Sequence, residues 1–190
     1  MDLKEFFNTD SHVSDLTVEI IASYCDEISV PKGERVVEQG VVCHHIYFLT
    51  QGIGRIVYEH NGEEETVAFG AEGNAFTSMA SFYAGLPSLF SLEMMEDSIF
   101  YRLKFARFRE LTDRLPEFNV WFSNALVEQI YTLELRYVYY GYDNAYTRYK
   151  KLIKVQKHNI NRIPLKYVAQ YLQVDPATLS RIRKRYGKEK

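Results

Sequence analysis

Apolar and polar residues follow a different period in each part of the chain. Residues 14–24, "SDLTVEIIASY", have a serine before apolar residues at helical spacing, which predicts a short amphipathic helix. From there to Leu103, short β-type runs such as "HIYFLTQG" and "GRIVYEH" are separated by glycines. Asn61-Gly62 lies between two runs and predicts a hairpin turn, because both residues accept a positive φ. Many short strands with regular turns are typical of an antiparallel barrel or jelly roll.

The period becomes helical after Leu103. "KFARFRELTDRL" predicts one helix, and Pro116 then lies at the first turn of a second, where its missing N–H costs nothing. We expect this second helix to run to about Tyr140, an unusual length for a globular domain. Five of its apolar residues have nearly the spacing of a coiled-coil seam and form the predicted dimer interface: Phe122, Leu126, Ile130, Leu133 and Tyr137. Residues 141–145 break the pattern and predict a hinge.

The segment "VAQYLQVDPATLSRIRKRYG" follows the spacing of a helix-turn-helix motif. Asp175 is a natural N-cap for the second helix of the pair, and Pro176 suits its first position. The turn position that usually holds glycine is Gln173, which predicts a mildly strained left-handed residue. Counted from Leu165 as the first position, small or apolar residues occupy the fourth, fifth, eighth, tenth, fifteenth and eighteenth: Val168, Ala169, Leu172, Val174, Leu179 and Ile182.

Charge is divided unequally along the chain, although its overall net charge is only −2. Residues 146–190 hold 13 Lys and Arg against two acidic residues, while the preceding residues are strongly acidic. A basic segment inside a periodic apolar pattern predicts a folded module with a polyanionic partner.

On a helical wheel, the second helix of the motif has one apolar side and one cationic side, as a helix that enters the DNA major groove needs. An ordinary amphipathic helical hairpin is the structural alternative. The predicted DNA-binding residues are Lys166, Ala177, Thr178, Ser180, Arg181, Lys184 and Arg185.

Several classes of protein are disfavoured by the composition. Cys25 and Cys43 are too few and too far apart for a cysteine-ligated cluster or zinc knuckle, and two reduced thiols fit a cytoplasmic protein. The acidic start predicts no secretory signal, and no stretch has the length of a membrane span. His44 and His45 are adjacent, so they would point to opposite faces of a strand, which disfavours a metal site. No nucleophile–base pair or phosphate loop is visible, so we expect neither an enzyme nor a cofactor.

The order of barrel, long helix and terminal helix-turn-helix resembles the Crp/Fnr family of bacterial transcription regulators. "PKGERVVEQG" with "IYFLTQGIGRIVYEHNGEE" is similar to the first half of that family's cyclic-nucleotide-type barrel, and "IPLKYVAQYLQVDPATLSRIRK" to its DNA-binding motif. The resemblance implies a homodimer joined along the long helix and bound to a palindromic DNA site, with RNA polymerase as a further partner. It also implies a base-reading role for Arg181, whereas Pro176 and Ala177 replace the two other common base-reading residues.

The effector site departs from the cyclic-nucleotide binders of that family. Its ribose-binding Gly-Glu pair corresponds to Thr77-Ser78, and its phosphate-binding arginine with a polar neighbour corresponds to Ser88-Leu89. Independently, no Lys or Arg lies between Arg55 and Arg102, and a buried phosphate without a cation would be costly. We therefore expect no response to cyclic AMP. Residues 76–95 offer either a pocket for a mostly apolar, unknown effector or, more simply, the filling of the barrel.

The sequence thus predicts an α+β chain in three parts. Residues 1–115 form an antiparallel jelly-roll barrel, residues 116–142 a long dimerisation helix, and residues 143–190 an all-α helix-turn-helix domain without a full wing. The predicted function is a dimeric, sequence-specific transcription regulator. The alternative is a small-molecule-binding or metal-dependent jelly-roll protein with an accessory C-terminal module.

Overall fold

The computed structural model describes residues 1–9 and 12–189, and it shows helices on both sides of an antiparallel β-barrel. The strands are β1 (Cys25–Val30), β2 (Arg35–Val37), β3 (His45–Gln51), β4 (Ile53–His60), β5 (Glu63–Ala71), β6 (Ala75–Phe76), β7 (Ser91–Met94) and β8 (Ser98–Lys104). The helices are α1 (Leu3–Phe7), α2 (Asp15–Ser23), α3 (Met79–Ala84), α4 (Phe105–Arg114), α5 (Pro116–Tyr142), α6 (Ala145–Val155), α7 (Leu165–Leu172) and α8 (Pro176–Lys188).

Two four-stranded antiparallel sheets form the barrel. Their strand orders are β1-β8-β3-β6 and β2-β7-β4-β5. The predicted hairpin joins β4 to β5: His60 pairs with Glu63, and Asn61 and Gly62 have φ of 53° and 78°. Large apolar side chains between the sheets are buried, including Leu49, Leu92, Met94 and Phe100. The predicted α+β class with a jelly-roll barrel and a long helix is confirmed.

A cluster of aromatic side chains attaches the helices to one side of the barrel. Phe7 of α1 lies against Phe48 of β3 and against Trp121 of α5, with ring centroids 5.2 and 4.8 Å apart. The sequence patterns did not predict α1, although Asp2 and Glu5 form a complete capping box at its start. Because Phe118 is also fully buried in this cluster, the first turns of α5 pack against the barrel side of the chain.

Towards its C-terminus, helix α5 extends away from that aromatic cluster. It begins at Pro116, as predicted, and Phe122 still packs on Phe108 of α4 with centroids 4.6 Å apart. Farther along the helix, Ile130 and Leu133 are half or more exposed and Tyr137 is 88% exposed. Residues 143 and 144 separate α5 from α6, within the predicted hinge.

The C-terminal module, defined here as α6, α7, α8 and their connecting turns, packs around the apolar residues of the motif. Among the positions that the motif spacing singles out, Val174 is half-buried and the others are buried: Val168, Ala169, Leu172, Leu179 and Ile182. Gln173 between α7 and α8 is left-handed, with φ 53° and ψ 49°. Within the described part of the chain, no strand follows α8.

We predict that Gln173→Gly stabilises the module. A left-handed backbone at a non-glycine residue destabilises the folded state by about 1–2 kcal/mol. Glycine removes that strain, but its larger conformational entropy in the unfolded state lowers stability by about 0.5–1 kcal/mol. The free energy of unfolding, measured in urea, should therefore rise by about 0.5–1 kcal/mol. Gln156→Gly is the control, because Gln156 also ends a helix but has φ of −95°. It should lower the free energy of unfolding, and a similar change in both variants would contradict the strain at Gln173.

Candidate nucleic-acid interface and effector region

Helix α8 begins at a strong local start signal. Asp175 accepts a hydrogen bond from the Thr178 backbone N–H at 2.8 Å, and Pro176 occupies the first helical position. The carboxylate of Asp175 also accepts from the Thr178 hydroxyl at 2.7 Å. These bonds from Thr178 stabilise the carboxylate and lower the pKa of Asp175. The first turn of α8 is thus fixed by its own side chains.

The same chain of hydrogen bonds extends to Arg181. Its Nη2 donates to the Thr178 hydroxyl oxygen at 2.8 Å, one turn along the helix. Asp175, Thr178 and Arg181 therefore form a connected polar row on α8. Arg181 is exposed and keeps other N–H donors of its guanidinium for a partner in solution.

The remaining predicted contact residues are distributed around this row. Ala177, Ser180, Lys184 and Arg185 are exposed, and Thr178 is half-buried. The opposite side of α8 is apolar, with Leu179 and Ile182 buried in the module. The structure thus places the exposed residues, Arg181 among them, away from the module core, as the helical wheel predicts.

Besides Arg181, two further predicted cations have internal contacts. Arg185 donates to Glu189 at 3.1 Å and lies over the Tyr146 ring at 4.1 Å. Lys166 is exposed in the first turn of α7, with its Nζ 4.5 Å from the centre of the Tyr167 ring. A phosphate would have to compete with Glu189 for Arg185, whereas Lys166 is held by an aromatic face.

The predicted effector residues bond to the protein backbone. The Thr77 hydroxyl donates to the His45 carbonyl at 3.1 Å, and the Ser88 hydroxyl to the Phe90 carbonyl at 2.8 Å. Ser78 is the N-cap of α3, and Leu89 is 69% exposed. These hydroxyls complete turns and a helix start, and the space between the sheets is filled by apolar side chains.

The sequence patterns missed Arg55, whose guanidinium is buried, with the whole residue 2% exposed. It makes a two-point contact with Glu93, with both N–O distances 3.1 Å, and donates to Glu64 at 2.7 Å and to the Thr66 hydroxyl at 3.1 Å. Burial alone would lower the pKa of Arg55, but its bonds to Glu93 and Glu64 outweigh burial and raise it. The bond to Arg55 likewise lowers the pKa of Glu64. This buried cation is therefore bound by the protein's own carboxylates.

Other site types find no support among the described residues. Within residues 1–9 and 12–189, no group of three or more His, Cys, Asp or Glu side chains lies close enough together to hold a metal ion. Burial and the nearby Arg102 and Lys104 lower the pKa of His45. In the part of the chain that the structure describes, no helix is both long and apolar enough to cross a membrane.

Comparisons with known proteins agree with this architecture. Residues 27–114 match the cyclic nucleotide-binding domain family. No curated protein matches the chain significantly by sequence. The Thermus thermophilus catabolite activator protein is 21% identical, with 97% of this chain and 87% of that one covered and a TM-score of 0.62.

Two further solved structures align over nearly the whole chain. A mutant of CooA from Carboxydothermus hydrogenoformans is 13% identical, with coverage of 100% and 85% and a TM-score of 0.74. The c-di-GMP-responsive global regulator CLP of Xanthomonas campestris is also 13% identical, with coverage of 93% for both chains and a TM-score of 0.71. The chain therefore has the fold of the Crp/Fnr regulators, as the sequence resemblance predicts, with a cyclic nucleotide-binding type of domain at residues 27–114.

Proposed function

We propose that the protein is a dimeric, sequence-specific DNA-binding transcription regulator of the Crp/Fnr type. The observation that carries this proposal is the polar row Asp175–Thr178–Arg181 on the exposed, cationic side of α8. Arg181 is exposed at the end of this row, while the opposite side of α8 is anchored in the module by buried Leu179 and Ile182. This is what base reading in a major groove requires.

Each residue of the interface takes a role from its position. Arg181 reads a base edge, because its fork matches the two acceptors of guanine. Thr178 and Ser180 border it, and Ala177 offers an apolar contact. Lys184, Arg185 and Lys166 neutralise phosphates, which supplies affinity without sequence preference. This function implies RNA polymerase as a further partner of the protein and the cytoplasm as the protein's location.

The barrel acts in this proposal as a folded support whose effector is unknown or absent. The hydroxyls of Thr77 and Ser88 are used by the backbone, and Leu89 is exposed. The rival function, a small-molecule-binding or metal-dependent jelly-roll protein, gains no support from the described residues of the barrel interior.

We predict that cyclic AMP does not bind in the micromolar range, which corresponds to about −8 kcal/mol. Residues 77, 78, 88 and 89 provide neither a cation for the phosphate nor a carboxylate for the ribose. Calorimetric titration of the full chain with cyclic AMP should give no saturable heat, with 5′-AMP as the control ligand. Saturable 1:1 binding of cyclic AMP alone at micromolar concentration would contradict this prediction.

The exposed apolar residues of α5 predict a homodimer. Replacing Ile130 and Leu133 together by Glu should give monomers in sedimentation velocity and weaken DNA binding, because two charges would be buried without partners. Gln129→Glu with Thr132→Glu is the matched control, since both residues are exposed on the same helix and gain the same charge. If the wild-type protein is monomeric at micromolar concentration, α5 is only a spacer between the barrel and the C-terminal module.

The roles along α8 can be separated by affinity. Arg181→Ala should remove about 1–3 kcal/mol of discrimination between a selected site and random DNA. Lys184→Ala should weaken both about equally, and it should lower the slope of log affinity against log salt by about one unit for each phosphate that Lys184 neutralises.

The measurement is duplex affinity over a salt series, first with a site selected from random DNA and then with random duplexes. Arg183→Ala is the control: Arg183 is exposed on α8 but lies beside the apolar side of the wheel, so its removal should change little. If Arg181→Ala weakens binding equally on both kinds of DNA, Arg181 contacts phosphate and our placement of α8 in the groove is wrong.

A further inference from the structure

An acidic face of the barrel binds the C-terminal module. The face consists of Glu64 and Glu93 in strands β5 and β7, and of Glu72 and Glu96 shortly after those strands. Arg162, in the turn before α7, contacts two of them. It makes a two-point contact with Glu72 at 2.7 and 2.9 Å, and its Nε and Nη2 donate to Glu96.

Helix α7 sits beside this ion pair on the same sheet. The Gln170 side-chain oxygen accepts from the Thr66 hydroxyl at 2.9 Å and from Arg55 at 3.3 Å. The Tyr167 ring covers the Arg55 guanidinium at 3.9 Å. These hydrogen bonds and the contact of the ring with the guanidinium depend on direction, so α7 can slide little over the sheet.

Apolar packing continues between the two parts. Tyr171 of α7 lies against Phe69 of β5, with ring centroids 5.4 Å apart. Ile53, Ala71 and Met95 of the barrel share one buried cluster with residues of the module. The bonds of Arg162 and of the Gly52 N–H outweigh burial and keep the pKa of Glu72 low, so this carboxylate is charged at neutral pH.

The recognition side of α8 stays open while α7 is docked. Arg181 and Lys184 are exposed, although Tyr167 and Gln170 on the preceding helix contact the barrel. Arg148 of α6 donates to the Leu172 carbonyl at 2.7 Å, which ties α6 to the end of α7. Since α7 and α8 share the buried residues Leu172 and Leu179, the direction of α8 relative to the barrel follows the position of α7.

We infer that the acidic face fixes the orientation of the recognition helix, and that Arg162 and Gln170 are positioning residues that determine the spacing of half-sites in DNA. This inference depends on the dimeric DNA binding proposed above. In a dimer with two docked modules, the distance and angle between the two α8 helices are set by the barrels and by the α5 interface that joins them. Each added base pair shifts and rotates one half-site relative to the other on the duplex. Such a dimer therefore binds palindromes of one half-site spacing more tightly than palindromes that are one base pair longer or shorter.

The first experiment measures docking without DNA. Spin labels are placed at Tyr83→Cys in α3, which connects β6 to β7 of the barrel, and at Arg183→Cys on α8. Both positions are exposed, and Cys25 and Cys43 are replaced by Ser. Labelled chains are diluted with unlabelled chains so that a dimer carries one labelled protomer. We expect one narrow distance distribution, which broadens when Glu72→Gln and Glu96→Gln are combined.

Those two substitutions leave every cation of the module in place. The amide oxygen that Glu72→Gln introduces can still accept from the Gly52 N–H, as the carboxylate does. The matched control is Glu63→Gln with Glu65→Gln, because these acidic residues are exposed on the β4–β5 hairpin. Gln170→Ala tests the same contact from the module side. The control should keep the narrow distribution, and Gln170→Ala should broaden it.

The second experiment measures affinity of the full-length dimer for palindromes whose half-site spacing differs by one base pair. Release of docking should reduce the preference for the best spacing by at least about fivefold, the lower range of couplings between sites. Affinity for an isolated half-site should stay unchanged, as should the spacing preference of the control.

Each outcome decides one step. A broad distribution in the parent protein refutes docking, whatever happens with DNA. A narrow distribution in a protein that binds no DNA sequence-specifically refutes the proposed function and, with it, the spacing role. Broadening with an unchanged spacing preference refutes the positioning role. Tighter binding of the Glu72→Gln, Glu96→Gln variant to all spacings alike would make docking inhibitory, which also overturns our inference.

Discussion

The buried guanidinium of Arg55 is the constraint on which the arrangement of the two parts depends. An unpaired charge at 2% exposure would be prohibitive, and removal of one partner from such a group costs about 3–5 kcal/mol. Its donors are matched by Glu64, Glu93 and Thr66 from two neighbouring strands and by Gln170 from α7. A single cation therefore requires β4, β5, β7 and α7 to keep one mutual geometry.

This constraint changes the meaning of the charge asymmetry along the chain. The net charges of the acidic first part and the basic last part of the chain indicate only a polyanionic partner. In the structure, Arg162 uses its charge on Glu72 and Glu96, whereas Arg181 and Lys184 are exposed on α8. Charge complementarity thus acts first within the chain, whereas Arg181 and Lys184 remain exposed on α8 for the proposed DNA contact.

Features with a local physical cause were predictable from the sequence. The Asn61-Gly62 turn, Pro116 at the start of α5 and Asp175 before α8 each depend on a few adjacent residues, and each is found where expected. The contacts of Arg55 were not predictable, because its partner Glu93 is 38 residues away and meets it only through the pairing of β4 with β7.

The candidate sites divide in the same way. Helical periodicity placed Arg181 and Lys184 correctly on the exposed side of α8, since one helix determines which residues share a face. The hydroxyls at positions 77, 78 and 88 could equally serve a ligand or the backbone, and only their hydrogen-bond partners distinguish the two. A short polar residue in a loop carries no sequence signal for that choice.

A rigid connection leads from the barrel to the proposed DNA-reading residue. Arg55 holds Gln170 on α7, α7 and α8 share buried Leu172 and Leu179, and Asp175 orders the first turn of α8 up to Arg181. Packed side chains and two-point ion pairs of this kind do not bend continuously, because their contacts are either made or broken. In the function proposed here, a signal that alters DNA binding through the barrel would therefore have to release the contact of α7 with the acidic face as a whole.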